Sequence, residues 1–490
     1  MAMGTRKSRE RQNDLWYGGE LPSAPGHPFY QRLNEVLDRD FDHFCEDECA
    51  RFYHSKLGRP SLPPGQYFRV MMIGFFEGLD SERGIAWRLA DSLTLRQFLG
   101  IALDEPTPDH VTISRTRRLI DSETHRKIFG FVLQRLALAG LIKGRTIGVD
   151  STTLEANAAM KSIVRRDTGE SYTAYLQRLA EAEGLASADA AALRRMDRKR
   201  NKKASNEDWT SPVDGEAEIT RLKDGRTALA YKAENAVDMD SGAIVAVTTH
   251  GGAEADTATI QETVIEAGVA VAELLDVQTA EGTYPVHPEG VQEVVADKGY
   301  HSNDSAVGLA EIEVRTYIAE PTRGARKWEG KPEAKKAVYG NRRRIAGNRG
   351  KRLQRQRGER IERNFAHQFD TGGMDRLWVR GRDNVHKKLL IQAAACNLAL
   401  LLRSFYGVGK PKAAHDRADE RFLLFLLFLV ALEAAISSMC AITGDSHLQS
   451  SVRSPLPRLH SQRPKNEGFR HRLLALLTVQ EAPVPDGRQT

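Results

Sequence analysis

The pattern of apolar and polar positions indicates several helices in the first third of the chain. Apolar residues cover most of the surface of a helix predicted from Gln66 to Gly78. Ser81 is placed to cap the next helix, which the pattern extends to about Leu89. The dipeptide Thr107-Pro108 is typical of an N-cap followed by proline at the first helical position. Residues 61–140 are therefore predicted to form an all-helical N-terminal domain.

Short β-branched segments predict a mixed sheet in the part that follows. The predicted strands are RTIGVD (Arg145–Asp150), Leu229–Val237, Ala243–Thr249, VQEVVAD (Val291–Asp297) and VRTYIAEP (Val314–Pro321). Asp240-Ser241-Gly242 is typical of a hairpin turn. Amphipathic patterns predict helices at Thr257–Leu275, Leu353–Phe369 and Asn384–Phe405. This order of strands and helices resembles an RNase H-like α/β fold, a mixed sheet flanked by helices.

The remaining segments complete a four-part organisation. A polar helical lead covers 1–60, the α/β domain covers 141–405 with a polar insertion at about 161–226, and a tail covers 406–490. The tail contains an apolar run, Phe422–Cys440, nearly long enough to span a bilayer. Because Glu433 interrupts this run and charged residues precede it, it is interpreted as a buried or partner-facing helix rather than a membrane segment.

Composition narrows the class of protein. The chain has 490 residues, 41% hydrophobic and 28% charged, with a net charge of +6 that favours an anionic partner, nucleic acid first. Four cysteines are too few for a disulfide framework, and the polar start MAMGTRKSRERQND is not a secretory signal, so a cytoplasmic location is expected. Cys45, Cys49 and His54 lack a second ligand pair for zinc, and one helix face is the simpler interpretation.

Two predicted strands end in aspartate, at Asp150 and Asp297. Acids at the ends of adjacent strands converge at one edge of a sheet. Glu362, on the helix after the last strand, supplies a third carboxylate. Three carboxylates near one point suit Mg²⁺ or Mn²⁺, and two such ions about 3.5–4 Å apart clamp both oxygens of an in-line phosphoryl displacement. Spacing alone is a modest signal, because most strand-terminal aspartates are turn residues.

Basic residues surround the third acid. The segment Lys335–Arg360 reads KKAVYGNRRRIAGNRGKRLQRQRGER, and its glycines predict that it is partly loop. Such a run next to carboxylates suits a phosphate backbone, although a solvated charged loop is the alternative. Trp328 and Tyr339 are either stacking platforms for an unpaired base or ordinary packing aromatics. The basic helix with Arg115 and Arg118 favours a helix-turn-helix-like DNA reader as much as a helical bundle with a solvated basic face.

Several segments, in this order, resemble bacterial insertion-sequence transposases of the DDE class. They are Gly58–Gly100 (GRPSLPPGQYFRVMMIGFFEGLDSERGIAWRLADSLTLRQFLG), VDSTTLEANAAMKSIVRRDTGESY (Val149–Tyr172), Asp197–Val247, ADKGYHSN (Ala296–Asn303) and RGERIERNFAH (Arg357–His367). The likeness covers about residues 55 to 405. It implies a helical N-terminal domain before an RNase H-like catalytic domain.

The resemblance also implies roles for individual residues. Asp150, Asp297 and Glu362 are the expected catalytic residues and metal ligands, for Mg²⁺ or Mn²⁺ and two ions. Tyr300 and His301 are expected to shape the site, and Arg363 to meet phosphate. The residues expected to bind DNA are Tyr300, His301, Arg342, Arg343, Arg344, Lys351, Arg352, Arg355, Arg357, Arg363, Arg115 and Arg118.

The glutamate helix departs from the family pattern. Related enzymes often carry an Arg before the glutamate and a Lys after it, whereas this chain has Gly358 and Phe369 at the corresponding positions. Arg355, Arg357 and Arg360 are candidates to substitute. A different helix register would make Glu359 the third acid, but the ERxF context favours Glu362.

The expected function is cleavage of insertion-sequence ends and their joining to target DNA. The partners would be terminal inverted repeats and target DNA, bound by a homodimer in the nucleoid without a small-molecule cofactor. Two alternatives remain open at this point: an RNase H-like nuclease without strand transfer, and a catalytically inactive, transposase-derived DNA-binding protein.

Overall fold

The computed structural model describes Met3 and residues 26–414, except 55–57, 59–60, 185–188, 201–203, 323, 325 and 375. Residues up to Leu401 form one compact unit, and a second unit begins at Leu402. Most of the tail, including the apolar run Phe422–Cys440, lies outside the described residues, as does most of the segment before residue 26.

Helices make up the N-terminal part of the first unit. They are α1 (Pro28–Cys49), α2 (Pro64–Glu77), α3 (Glu82–Ala90), α4 (Leu93–Leu99), α5 (His110–Leu119) and α6 (Ser122–Leu138). Nearly all of α2 is buried, including Arg69, whose Nε donates to Asp42 Oδ1 at 3.1 Å. The hydroxyl of Ser81 accepts from Gly84 N at 3.1 Å, so the predicted cap of α3 is confirmed.

The predicted start of α5 is wrong. The N-cap is Asp109, whose carboxylate accepts from Thr112 N at 2.6 Å, and the helix begins at His110. Thr107 and Pro108 lie in the preceding loop. An aspartate directly before the helix competes better for the unpaired N–H groups of the first turn than a threonine two residues earlier.

One mixed sheet forms the centre of the first unit. Its strands are β1 (Thr146–Glu155), β4 (Glu218–Arg221), β5 (Thr227–Asp238), β6 (Ile244–Gly251), β7 (Glu293–Ala296) and β8 (Arg315–Ile318), and a separate ribbon pairs β2 (Val164–Arg165) with β3 (Trp209–Thr210). The order across the sheet is β4-β5-β1-β7-β8, with β6 also paired to β5. Strand β1 is antiparallel to β5 and parallel to β7, which is parallel to β8. The chain is therefore a mixed α/β protein with a helical N-terminal part.

Asparagine side chains pair with one backbone residue on each of two edge strands of this sheet, β8 and β6. Asn341 of α11 (Pro332–Ala346) pairs with the N–H and the carbonyl of Ile318 at 3.0 and 2.8 Å. Asn397 of α13 (Arg382–Tyr406) does the same for Ile244 at 2.9 and 2.7 Å. Both amides therefore satisfy edge backbone groups that would otherwise offer a template for another strand.

The two faces of the sheet are covered by different helices. On one face, threonines of α9 (Asp256–Ala272) hydrogen-bond to β5. On the other, α12 (Asn348–Ala366) packs Ile361 onto β1 at Gly148. A Cβ at Gly148 would lie 2.7 Å from Ile361 Cδ1, so glycine allows this close approach. The predicted hairpin turn is confirmed by Gly242 N, which donates to Asp238 O at 2.8 Å.

The basic run Lys335–Arg360 is helical, which corrects the prediction that it is partly loop. Helices α11 and α12 are separated only by Gly347. Gly350 lies inside the first turn of α12, where a Cβ would be 2.3 Å from Arg344 O. This glycine therefore serves the tight contact between two helices rather than breaking one.

The remaining described helices are α7 (Tyr172–Ala182), α8 (Ala190–Lys199) and α10 (Asn303–Glu311). One described helical segment, Arg382–Ala414, which contains α13, is long and apolar enough to cross a membrane, and 72% of its most apolar window is buried in the protein. The core helices of soluble proteins pass the same test, so this observation is weak.

Candidate active site

Asp150 lies in the middle of β1, on the face covered by α12. Residues 148, 150 and 152 share one face because side chains alternate along a strand. Arg357 of α12 donates from Nη1 to Asp150 Oδ2 at 3.0 Å, and Asp150 Oδ1 accepts from Ser151 N at 2.8 Å. Burial raises the pKa of Asp150, Arg357 lowers it, and the charge of Asp297 raises it again.

Asp297 follows the last residue of β7, the parallel neighbour of β1. Its Oδ1 accepts from Gly299 N at 2.7 Å and caps a short 3₁₀ turn, Lys298–Tyr300. Gly148 pairs with Val295 in parallel register, two residues before each aspartate, so the structure brings together Asp150 and Asp297 on adjacent strands. Because this environment disfavours two adjacent negative charges, the pair suits a bound cation.

Glu362 lies on α12, five residues after Arg357, which pairs with Asp150. Ile361 and Phe365 of the same helix are buried, as their spacing predicts, while Glu362 and Glu359 are both exposed. The Glu362 carboxylate lies over Gly358, where an added Cβ would be 3.6 Å from its Oε1. No ion pair of Glu362 occurs within the part of the chain that the structure describes.

The predicted triad is therefore assembled only as a pair. Among the described residues, no group of three or more His, Cys, Asp or Glu side chains is arranged to hold a metal ion. Asp150 and Asp297 fit a hard cation in chemistry and position, since both are carboxylates and their negative charges repel each other. Glu362 fits in chemistry alone, because its carboxylate is exposed and does not form a three-carboxylate group with Asp150 and Asp297 in the described part of the chain.

A buried polar network supports the two aspartates from the α9 face of the sheet. Tyr300, three residues after Asp297, donates its hydroxyl to Glu234 Oε1 at 2.7 Å. Thr259 and Thr263 of α9 donate to the same carboxylate. Ser151 is the strand partner of Glu234, and it neighbours Asp150 in sequence. The network therefore fixes the backbone next to each aspartate.

A second branch of this network brings another acid close to the site. Asp256, at the start of α9, accepts from Ser151 Oγ at 3.0 Å and pairs with the buried Lys232 at 2.9 Å. A Cβ at Gly299 would lie 3.0 Å from both Asp256 Oδ2 and Asp297 Oδ1, so these carboxylates face each other across this glycine. Because Lys232 already neutralises Asp256, this acid is less suited than Glu362 to complete a cation site.

Glu234 is expected to make the stability of the protein depend on pH. Burial raises its pKa from 4.5 to about 7, against the hydrogen bonds that lower it. Between these values the folded protein holds a proton that the unfolded chain releases, so stability falls as pH rises through this window. The loss is at most about 3 kcal/mol. Urea unfolding of wild type and Glu234→Gln at pH 5 and pH 7.5 checks this.

The glutamine variant carries the neutral form at both pH values, so its stability should change less than that of wild type. The network around Tyr300 stays otherwise intact, because an amide oxygen still accepts from its hydroxyl. Equal changes in the two proteins would show that Glu234 is ionised in the fold throughout this range.

The residues expected to bind DNA differ in exposure. Tyr300 and His301 are buried, which favours their role in shaping the site over direct contact with DNA. Arg342 binds Glu320 through two hydrogen bonds of 2.6 and 2.8 Å, and Arg344 binds Thr316. Arg357 pairs with Asp150. The exposed members are Arg343, Lys351, Arg352, Arg355, Arg363, Arg115 and Arg118.

Two aromatic residues lie beside the paired arginines. The rings of Trp328 and Tyr339 are 5.9 Å apart, and Tyr339 is 44% exposed. The guanidinium of Arg326 lies 5.8 Å from the first ring and that of Arg342 lies 5.0 Å from the second. These aromatics therefore pack with one another and with arginines, while Tyr339 remains partly exposed.

The sequence interpretation missed the residues of the supporting network. Lys232 and Glu234 lie two apart on β5, so they share the face toward α9, and a charged pair on a predicted buried strand was the available signal. Asp256 opens the helix predicted from Thr257, at a position where an acid is commonly a cap residue. Their partners are distant in sequence, so spacing did not connect them to Asp150.

The fold and the site define a mixed α/β protein with two aspartates on neighbouring parallel strands, Asp150 within β1 and Asp297 directly after β7. Comparison with known families adds two matches. Residues 20–119 match a transposase domain (DUF772), and residues 319–402 match a transposase DDE domain. Together they support an insertion-sequence DDE transposase, the family that the motifs resemble. The second match contains Glu362, whereas Asp150 and Asp297 lie outside both. No curated protein and no solved structure matches the chain.

Proposed function

We propose that the chain is a metal-dependent DNA transposase that cleaves the ends of an insertion sequence and joins them to target DNA. The observation that carries this proposal is the placement of Asp150 and Asp297 on adjacent parallel strands, each two residues beyond the paired residues Gly148 and Val295. The two transposase matches on either side of these strands support it.

The proposal includes an RNase H-like catalytic domain. The five main strands are β1, β5, β6, β7 and β8, counted first to fifth in chain order. Across the sheet they lie in the order β6-β5-β1-β7-β8, which is 3-2-1-4-5. The second is antiparallel to the first and the fourth is parallel to it. This arrangement supports the fold that the sequence resembles, with helices on both faces.

Asp150, Asp297 and Glu362 would hold Mg²⁺ or Mn²⁺, as two ions. When bound, such ions supply positive charge to the attacking and leaving oxygens of an in-line phosphoryl displacement. The chain itself supplies Arg357, which pairs with Asp150. Exposed cations on α11 and α12 would hold the DNA backbone beside these acids, with DNA bound by a homodimer in the nucleoid.

Cleavage is expected to require a divalent cation. Wild-type protein should cut a duplex carrying the inverted repeats of its element in Mg²⁺ or Mn²⁺, and not in excess chelator, because the bound ions supply positive charge at the attacking and leaving oxygens. The measurement is product formation on a denaturing gel, with cation restored to the chelated sample as the control. Full cleavage in chelator would contradict the metal mechanism.

A pre-cleaved duplex with a free 3′-hydroxyl distinguishes transposase from nuclease. If the protein is a transposase, that end should be joined covalently to a supercoiled target plasmid, because its hydroxyl attacks a target phosphodiester. A nuclease predicts cutting of the intact duplex and no joined product. Absence of both products, with DNA binding retained, would favour a transposase-derived binding protein.

A further inference from the structure

The polar insertion after β1 folds as a small module with its own core. Helices α7 and α8 pack together through Leu176, Ala180 and Leu193, beside the β2–β3 ribbon. The module leaves the sheet directly after β1, the strand that carries Asp150. A partner bound by the module is therefore linked through β1 to the strand that carries Asp150.

Several acids of the module form ion pairs with arginines of the same module. Arg165 pairs with Asp167 at 2.6 Å, and Arg178 pairs with Glu170 at 3.1 Å. Their guanidinium groups, and that of Arg200, also lie over the ring of Tyr175. Arg200 in turn pairs with Asp197, again at 3.1 Å. These contacts are internal, and they leave those cations little part in binding a partner.

The outer face of α8 is different in kind. Its cations are Arg194, Arg195, Arg198 and Lys199, which are all exposed and form no ion pair with any residue that the structure describes. Arg194 and Arg198 are four residues apart, as are Arg195 and Lys199. Like charges at this spacing destabilise a helix. The face is therefore repulsive in the isolated protein, and a polyanion would remove that repulsion.

We propose that this outer face of α8 binds the phosphate backbone of double-stranded DNA, independently of α11 and α12. Arg194 to Arg198 spans about 6 Å of helix, close to the distance between neighbouring phosphates along one DNA strand. Guanidinium groups bind phosphate oxygens in pairs, so three arginines on one face suit a backbone better than a single anion. The inference rests on the proposed function, because DNA is the polyanion that this site would act on.

Backbone contacts carry no sequence information, so the face would hold DNA of any sequence. It would add to the affinity for DNA flanking the cut rather than to recognition of the element ends. Neutralising it should therefore weaken binding similarly on specific and unrelated duplexes, and flatten the dependence on salt.

The test is a triple variant, Arg194→Gln, Arg195→Gln and Arg198→Gln, in the full chain. The control triple variant is Arg83→Gln, Lys143→Gln and Arg315→Gln, which removes the same charge from exposed positions scattered over the unit. Fluorescence anisotropy in chelator, with a labelled duplex over a range of KCl concentrations, gives the slope of log affinity against log salt. Because the α8 variant no longer neutralises three phosphates, the magnitude of its negative slope should decrease by about 2.7.

The control variant should keep a slope close to that of wild type. An unchanged slope in the α8 variant, or equal falls in both variants, would overturn the proposal. Vesicles of phosphatidylserine form a second arm. If the α8 variant loses binding to vesicles but not to the duplex, the face is directed to a membrane and the proposal is wrong.

Metal-dependent cleavage by the wild-type chain is measured in parallel. If the wild type cleaves and the α8 slope is unchanged, only this inference fails. If the slope falls as expected but no divalent cation supports cleavage, the proposed function fails while the DNA-binding face stands.

Discussion

Asp150→Asn and Asp297→Asn are each expected to reduce cleavage and strand transfer by about 10³-fold or more, the effect of losing several kcal/mol of charge stabilisation. Each substitution keeps the shape of the side chain and removes one anionic ligand. The Asp297 variant also keeps an oxygen that accepts from Gly299 N, so the turn after β7 should persist. Single-turnover cleavage at saturating DNA and Mg²⁺ separates this loss from weaker binding.

Asp150→Asn should reduce cleavage but should not reduce the stability of the fold. Burial and the neighbouring Asp297 raise the pKa of Asp150 in spite of Arg357, so its charged form is less favourable in the fold than in the unfolded chain. A neutral amide should therefore maintain or raise the unfolding midpoint measured without metal. Asp240→Asn, an exposed aspartate in the β5–β6 turn, is the matched control and should change neither property. Normal cleavage by either active-site variant would exclude that residue as an essential ligand.

The convergence of the two aspartates was predictable because local patterns define them. VVAD and GVD each combine a short buried β-branched run with an acid, and the parallel pairing of β1 with β7 then places both at one edge. Asp150 is nevertheless inside its strand rather than at the end, because β1 continues to Glu155 beside the long β5. The convergence survives this difference, since alternation still directs Asp150 to the face of α12.

The support behind the site was not predictable from spacing. Glu234 is satisfied by Tyr300 and by two threonines of α9, all at least 25 residues away in sequence. A helical or strand period describes neighbours within one element, so it does not identify such partners. The glycines of the basic run misled for a related reason, because Gly350 serves a contact between helices that only tertiary packing reveals.

Arg357 shows how the departure from the family pattern affects the site. The sequence offered three arginines as substitutes for the missing one before Glu362, and the fold brings Arg357 to Asp150. Arg360 instead donates to Ser241 O at 3.2 Å, and Arg355 is exposed. Because Arg357 neutralises one of two coupled acids, the site without a cation keeps its carboxylates close without full repulsion.

The third carboxylate is tested by comparing Glu362→Gln with Glu359→Gln. Both residues are exposed on α12, so burial does not separate them. Their directions do. Ile361 and Phe365 pack inward, and Glu362 lies about 100° and 60° from them, whereas Glu359 lies about 160° and 120° away. Glu362 is thus at the border of the packed face, one turn beyond Gly358, and Glu359 points toward solvent.

Glu362→Gln is therefore expected to abolish cleavage and strand transfer, while Glu359→Gln alters mainly the affinity for DNA through its basic neighbours. Each variant removes one charge from the same helix without shortening a side chain, so each serves as the other's control for charge and helix stability. The rates are compared at saturating DNA and Mg²⁺, where a change in affinity no longer affects turnover. An inactive Glu359→Gln beside an active Glu362→Gln would assign the third ligand to the other face of α12. Equal activity in both would remove this helix from the cation site and leave Asp150 and Asp297 to hold it without Glu362.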